Sequence, residues 1–210
     1  MAHTQLSDLT ALTGTNTDVD ADKLYIVDAS ESGIAKSKSI TVKELIANTP
    51  SFLQSGTGAS ARTVRAKERD IVSIKDFGAT GDGTTDDTSE IQAALDSGAA
   101  HVYSQSGTYL TGTLTIPSNC YLYGDGFNAT IFKAKASLDN NPIINLASNS
   151  NITLSDFRIE GNSDNQTGAG LSTGIASTAA QLVSIHRVIV NDTYDWGFGI
   201  YGGDYIMLID

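Results

Sequence analysis

The sequence predicts a mainly β protein, and two observations support that prediction. Glycine is frequent, at 20 of 210 residues, and proline is rare, at 3, while Asn, Ser and Thr separate short β-branched runs. Many short strands joined by turns have this composition. Apolar pairs also recur along the C-terminal half at intervals of about thirty residues, which is typical of stacked structural repeats. With only 18% charged residues, the chain can bury a sizeable core.

The first 48 residues form a distinct α+β module. Strand-like runs at residues 24–27 and 37–40 precede Thr41-Val42-Lys43-Glu44. This spacing predicts a capping box between Thr41 and Glu44, in which each side chain bonds the other residue's amide. We expect a short helix to follow, ending near residue 48. A module this small holds too few large apolar side chains for an independent core, so it needs partners.

Residues 49–70 are predicted to be a connector or neck, because Gly, Ser and Ala give residues 55–60 a flexible composition. The β body then occupies residues 71–210. It opens with the run IVSIKDFGATGDGTTDDT, from Ile71 to Thr88, which predicts a strand, a glycine-rich turn and a helix start. Asp87 and Glu90 have the spacing of a second capping box. The helix that follows has one apolar face.

The rest of the β body shows weak self-similarity. The segment 152–159 aligns with 183–190 at a spacing of 31 residues, and Cys120-Tyr-Leu122 precedes the first by 32. Tyr205-Ile-Met207 follows Val183 at a spacing of 22. Stacked coils whose turns carry insertions give this pattern, with the extra residues of the second interval predicted at 161–174.

The opening run of the β body closely resembles that of right-handed parallel β-helices in phage tailspikes and pectate-lyase-like proteins. The N-terminal pattern SDLTALTGTNTDVDADKLYIVDAS is also similar to the virion-proximal modules of phage tail fibres and tailspikes. The resemblance implies a helix that covers the N-terminal end of the first coils of a right-handed parallel β-helix. It also implies a homotrimer whose residues 1–48 dock on tail or baseplate proteins, with synthesis in the host cytoplasm and assembly into the virion.

The function expected from this resemblance is structural. The chain would be the virion-proximal part of a tailspike or tail fibre, and its β-helix would recognise a host surface polysaccharide. The alternative is an enzyme, a glycoside hydrolase or lyase that depolymerises bacterial capsule or O-antigen. In tailspike depolymerases the catalytic carboxylates lie well along the β-helix, so a full-length protein could be a depolymerase even though this chain is expected to lack the catalytic residues.

Four acidic residues are the candidates for catalysis within the chain. Glycoside hydrolysis needs two carboxyl groups roughly 5–9.5 Å apart. Asp156 and Glu160 flank one predicted coil, and Asp192 and Asp195 follow the next. Asp156 aligns with Arg187 at a coil corner, where a solvated turn explains a polar residue equally well. Ordinary surface acidity is the competing interpretation for all four.

An aromatic cluster near the C-terminus is the candidate glycan-binding element. It comprises Tyr194, Trp196 and Tyr201, together with Phe198. Exposed aromatic rings stack on sugar rings, but the same residues can pack in a trimer interface. The sequence leaves both possibilities open. The segment 205–209 resembles a coil strand with nothing after it to cover it, so we expect either a longer protein or another chain that continues the stack.

Charge and composition argue against several other functions. Residues 76–210 carry 4 basic and 15 acidic side chains, which accounts for the whole net charge of −11. An acidic surface repels phosphate, so nucleic-acid and anionic-membrane binding are not expected. The glycine loop lacks the Lys-Ser/Thr of a P-loop, and neither a cofactor nor a metal is expected. Cys120 is the only cysteine and is predicted to be a small buried side chain. The three histidines, His3, His101 and His186, have no metal-ligand spacing and are expected to be structural or exposed.

Overall fold

The computed structural model describes residues 23–27, 37–41, 51–138, 141–166, 174–194, 196–202 and 206–209. The chain divides into two compact units, residues 1–67 and 68–210. None of the helices within the described residues is long and apolar enough to cross a membrane.

The first unit contains two antiparallel strand pairs. Strand β1 (Lys23–Val27) pairs with β2 (Ser37–Thr41), so that the predicted strand runs at 24–27 and 37–40 lie side by side. Strand β3 (Ser51–Phe52) pairs with β4 (Arg62–Thr63), and helix α1 (Val64–Glu68) follows directly. The predicted capping box at Thr41 lies outside the described residues, because Glu44 is not among them.

The second unit is a parallel β-helix built from three sheets. Every strand pair in these sheets is parallel. The first sheet has the order β5-β7-β10-β13-β15-β17, and these strands span Ile71–Ser73, His101–Ser104, Tyr121–Gly124, Ser150–Glu160, Gln181–Asn191 and Ile206–Ile209. The mainly β fold with a parallel β-helix, which the sequence predicted, is confirmed.

The second and third sheets complete each coil. The second sheet contains β6 (Asp82–Asp86), β8 (Gly107–Thr111) and β11 (Thr130–Ala134), which pair in that order. The second halves of β13 and β15 follow β11 in the same sheet. The third sheet contains the four strands β9, β12, β14 and β16, which span Leu114–Thr115, Ile144–Ala147, Ile175–Ser177 and Phe198–Ile200. One full coil therefore contributes one strand to each sheet.

Strands β13 and β15 each serve two sheets because they bend at one residue. Asp156 and Arg187 have backbone φ angles of 63° and 48°, which place both in the left-handed region. A single residue in that conformation redirects the chain without ending the pairing between the two strands. The predicted position of these two residues at a coil corner is confirmed.

The register confirms two of the three predicted intervals. Tyr121 pairs with Thr153, and Thr153 pairs with Ser184, which reproduces the spacings of 32 and 31. The third interval was wrong by one residue, since Val183 pairs with Ile206 rather than with residue 205. A one-residue shift exchanges the two faces of a strand, and the structure turns the apolar Ile206 inward. The predicted insertion at 161–174 lies between β13 and β14.

The interior of the coils is a continuous apolar stack. Tyr109, Phe132 and Phe157 are fully buried and lie one above another, with ring centroids 5.9 and 5.1 Å apart. Cys120 is buried as predicted, and burial raises the pKa of its thiol to about 11. A thiol with so high a pKa is protonated near neutral pH and is therefore unreactive.

Helix α2 (Thr88–Leu95) replaces the third strand at the N-terminal end of the stack. Its buried residues Ile91, Ala94 and Leu95 are the predicted apolar face. Gln92 donates from Nε2 to the Thr115 carbonyl at 3.0 Å, and its Oε1 accepts from the Thr115 amide at 2.9 Å. The side-chain amide thus satisfies the free edge of β9 as a neighbouring strand would.

The capping box predicted for Asp87 and Glu90 was wrong. Asp87 occupies the N-cap position, but its side chain makes no bond to the helix amides. It is buried and instead accepts from the Thr80 amide and hydroxyl, both at 2.7 Å, and from the Gly81 amide at 3.0 Å. The carboxylate stabilises the glycine turn because it accepts from three donors of that turn. The spacing of residues in the sequence does not show these contacts.

A capping box is present earlier in the same opening run. Ser73 accepts from the Lys75 amide, and Asp76 accepts from the Ser73 amide, at 3.1 Å each, around the 3₁₀-helical turn Ile74–Phe77. Gly78 ends that turn with a φ of 101°, a conformation that favours glycine.

Candidate functional surface

The outer side of the first sheet is uncharged, although the chain as a whole is acidic. Successive side chains of a strand alternate between the two faces, so the residues between the buried ones point outward. These outward residues define what we term the tyrosine face: Ile71, Ser73, His101, Tyr103, Tyr121, Tyr123, Thr153, Ser184, His186 and Met207. None of them is Asp, Glu, Lys or Arg, whereas Lys133, Arg158 and Glu160 occupy outward positions of the second sheet.

Four aromatic rings form a continuous cluster on the tyrosine face. Tyr103 and Tyr123 are stacked, with centroids 5.2 Å apart and an interplanar angle of 22°. The ring centroid of Tyr121 lies 4.9 Å from that of Tyr123 and 5.6 Å from that of His101, which it meets edge-on. The strand register places these pairs on adjacent coils, His101 beside Tyr121 and Tyr103 beside Tyr123. Each such contact adds about 0.5–1.5 kcal/mol beyond the area it buries.

Asp125 fixes one edge of this cluster. It accepts a hydrogen bond of 2.5 Å from the Tyr103 hydroxyl and two more from the amide and hydroxyl of Ser106, at 2.8 and 2.7 Å. The bond to Tyr103 holds the pKa of Asp125 below its usual range, and the same bond raises the pKa of Tyr103. The Tyr103 ring is therefore positioned beside an ionised carboxylate at neutral pH.

The other hydroxyl groups of the cluster differ in their partners. The Tyr121 hydroxyl lies 3.0 Å from the hydroxyl of Ser155, which is buried beneath it. The Tyr123 hydroxyl has no hydrogen-bond partner among the described residues. It is the one tyrosine hydroxyl of the cluster that remains available to a ligand.

Three of the four acidic residues that the sequence nominated for catalysis contact neighbouring side chains. Asp156 forms two hydrogen bonds with the guanidinium of Arg187, at 2.6 and 2.7 Å, and this contact lowers the pKa of Asp156. Glu160 lies 3.1 Å from Arg158, while Asp192 accepts from Ser163 at 2.5 Å. Asp195 lies outside the described residues.

The predicted aromatic binding residues lie away from the tyrosine face. Tyr194 and Trp196 precede β16 of the third sheet, and Tyr201 directly follows it. Their side chains are 55%, 57% and 62% exposed. They are accessible, but none of them makes a ring contact with another aromatic residue among the described residues.

Sequence reasoning missed the tyrosine face. His101 and Tyr103 lie about twenty residues before Tyr121 and Tyr123, and the first full coil was not recognised as a repeat. The signal was the pattern His-Val-Tyr followed by Tyr-Leu-Tyr, in which polar aromatic residues flank a buried aliphatic one on adjacent coils. The described side chains include no group of three or more His, Cys, Asp or Glu that could hold a metal ion.

The family assignment follows from a comparison with known proteins. Residues 71–195 match the family model described as rhamnogalacturonase A/epimerase, pectate lyase-like. The chain belongs to this family. The match begins at the first strand of the β-helix and includes helix α2, so the family assignment and the described fold agree.

Two kinds of curated proteins are similar to this member of the family. Mannuronan C5-epimerase AlgE5 of Azotobacter vinelandii is 35% identical over 147 residues, which cover 60% of this chain and 15% of that protein. The pre-neck appendage protein of Bacillus phage phi29 is 35% identical over 130 residues, covering 58% of this chain and 15% of that protein. The chain thus matches about a seventh of each relative's length.

A solved structure supports the same relationship. The N-terminal fragment of the bacteriophage phi29 gene product 12 superposes with a TM-score of 0.57 at 29% sequence identity, covering 64% of this chain and 24% of that one. The chain is therefore similar to proteins of two different kinds, an epimerase and a phage appendage protein.

Proposed function

We propose that this protein is a structural component of a phage tail, the virion-proximal part of a trimeric tailspike or tail fibre that attaches to the tail and presents a β-helix to host polysaccharide. The observation that carries the proposal is the 35% identity to the phi29 pre-neck appendage protein across the β-helix. In this arrangement residues 1–48 contact tail or baseplate proteins.

The chemistry of the acidic residues supports a structural role over catalysis. A general acid needs a pKa near the working pH, and a nucleophilic or basic carboxylate needs access to the substrate. Asp156 is held ionised by Arg187, while Glu160 and Asp192 each contact a neighbouring side chain. These contacts stabilise coil corners and strand edges, and each of the three carboxylates already has a side-chain partner.

The location of the protein provides the test. Virions of the phage that encodes the chain are purified and labelled with gold-conjugated antibodies raised against the 210 residues. We expect label on a tail-associated appendage, and native mass spectrometry of the purified protein is expected to show three copies. Virions that carry no label, with the protein found only in the lysate, would overturn the proposal.

An enzyme remains the second candidate function, because mannuronan C5-epimerase AlgE5 is 35% identical over 60% of the chain. Its test is to incubate the chain with mannuronan and with capsular and O-antigen polysaccharides, and to assay C5 epimerisation by proton NMR together with new reducing ends and unsaturated uronates. Product that disappears in Asp156→Asn, Glu160→Gln or Asp192→Asn would establish catalysis by this chain. Absence of product is the result expected from the structural proposal.

A further inference from the structure

We infer that the tyrosine face binds a neutral polysaccharide chain lying along the β-helix axis, with the rings of Tyr103, Tyr121 and Tyr123 and the hydroxyl of Tyr123 as the main contacts. This inference rests on the proposed function and deepens it by naming a surface and a class of glycan. The surface belongs to the first sheet and is separate from the carboxylates and the C-terminal aromatic residues that the sequence nominated.

The first argument is the distribution of charge. The chain carries 24 acidic and 13 basic side chains, yet the tyrosine face has none of either kind on six consecutive strands. At its edge lies the Asp125 carboxylate, held by Tyr103 and Ser106. An acidic protein with a carboxylate at the border of this surface repels uronic acids and phosphates, whereas a neutral sugar incurs no such electrostatic cost.

The second argument is the repeat of the surface. Neighbouring strands of a sheet lie about 4.8 Å apart, so the six strands of the first sheet present equivalent positions along roughly 24 Å of the axis. Aromatic, hydroxyl and imidazole groups occupy those positions, from Tyr103 and Tyr123 to Ser184 and His186. A linear polymer with a repeating unit can match such a surface at several successive points.

The third argument is the chemistry that remains available. Tyr103 and Tyr123 cover part of each other's ring faces and are only partly exposed. The exposed apolar side chains of the face, Ile71 and Met207, lie on its two outermost strands, whereas a protein interface of about 800 Å² per side has its apolar residues at the centre. Ring edges and the unpartnered Tyr123 hydroxyl remain, and these are groups that contact sugar C–H and hydroxyl groups. The occupant that fits is therefore a glycan and not a second copy of the chain.

Affinity electrophoresis tests the inference with the full 210-residue chain. The gels contain dextran, mannan or galactan as neutral probes, and alginate or polygalacturonate as anionic ones. We expect retardation by at least one neutral probe and none by the anionic probes. Tyr123→Ala is expected to weaken that binding about tenfold or more, because it removes the ring that contacts both Tyr103 and Tyr121.

Matched variants separate the tyrosine face from other surfaces. Tyr123→Phe keeps the ring stack and removes the free hydroxyl, so an intermediate loss of about threefold to tenfold is expected. Tyr201→Ala and Trp196→Ala remove exposed aromatic residues elsewhere and should leave binding unchanged. Circular dichroism and thermal melting of each variant verify that it is folded.

Three outcomes overturn the inference. They are a folded wild-type chain that none of the three neutral probes retards, equal retardation by anionic probes, and binding that survives Tyr123→Ala but is lost in Tyr201→Ala or Trp196→Ala. The last outcome leaves the proposed function intact and moves the glycan to another surface. The proposed function is tested separately, and virions that carry no gold label would overturn it.

Discussion

The interior of the coils and the tyrosine face are built from the same strands, yet they follow different rules. On β10, Leu122 points inward and is fully buried, while its neighbours Tyr121 and Tyr123 point outward. Inside, every position must fill the space between two adjacent coils, which allows apolar or small side chains. Outside, the fold sets only the spacing of the positions, so the identity of each side chain is free to serve recognition.

The largest expected effect is the loss of an interior ring. Phe157→Ala removes a fully buried side chain that packs edge-on against Phe132 at 5.1 Å. We expect the free energy of unfolding to fall by about 3–5 kcal/mol in urea denaturation. Ile189→Ala, an outward and 40% exposed position of the adjoining strand, is the control and should cost less than about 1 kcal/mol. If both variants lost the same free energy of unfolding, the interior and the outer face would not follow different rules.

A buried carboxylate tests whether the interior rule extends to polar groups. Asp87→Ala leaves the donors of Thr80 and Gly81 without their partner, so we expect a loss of about 3 kcal/mol in the free energy of unfolding. Asp82→Ala is the comparison, because that exposed carboxylate also accepts from two amides, those of Thr84 and Thr85. A loss at Asp87 no greater than that at Asp82 would show that burial adds nothing there.

The edge of the third sheet should respond locally. Gln92→Ala removes both bonds to Thr115, and the expected loss of stability is about 1 kcal/mol. Amide hydrogen exchange at Thr115 should accelerate, while exchange at the buried strand β10 should not. Gln92→Glu retains an acceptor for the Thr115 amide and should preserve its protection. Unchanged exchange at Thr115 in the Ala variant would contradict the edge-sealing role.

The smallest effect is expected at the corner ion pair, where Arg187 is largely exposed. Arg187→Met should lower the melting temperature by roughly 1–2 °C at pH 7. Because the pKa of Asp156 is lowered in the folded state, the pair stabilises the protein above the unfolded pKa of about 3.9. That contribution is lost as the pH falls below about 4. Melting curves of both proteins should therefore converge at low pH, and a constant difference down to pH 2 would contradict this assignment.

The inward positions were largely predictable from the sequence, and the outward contacts were not. Alternating apolar pairs around Ile152 and Val183 gave the correct register, because only one alignment buries both sets. The same pattern failed by one residue at Ile206, where apolar side chains occupy both faces of the strand. The parallel β-helix was predictable because the opening run from Ile71 resembles that of known β-helices. In that run Gly78 needs a positive φ and Asp87 must bond the glycine turn, so few other residues fit those positions.

Contacts between coils explain most of what was missed. Arg187 and Asp156 were aligned at one corner, but their ion pair depends on side chains 31 residues apart meeting across a coil. Asp87 was assigned to the helix because capping rules consider only the next few residues, whereas its donors lie six and seven positions earlier. The tyrosine face required knowing that the strands containing His101 and Tyr121 are neighbours, which the uneven coil lengths conceal.

The side-chain amide of Gln92 also makes the two ends of the third sheet different. An exposed strand edge can recruit a strand from another molecule, which is a common route to aggregation. At β9 both the donor and the acceptor of Thr115 are already occupied, so the third sheet cannot template a strand on that side. Additional coils can join this sheet only beyond β16, so the third sheet can be lengthened at its C-terminal end and not at the end that α2 covers.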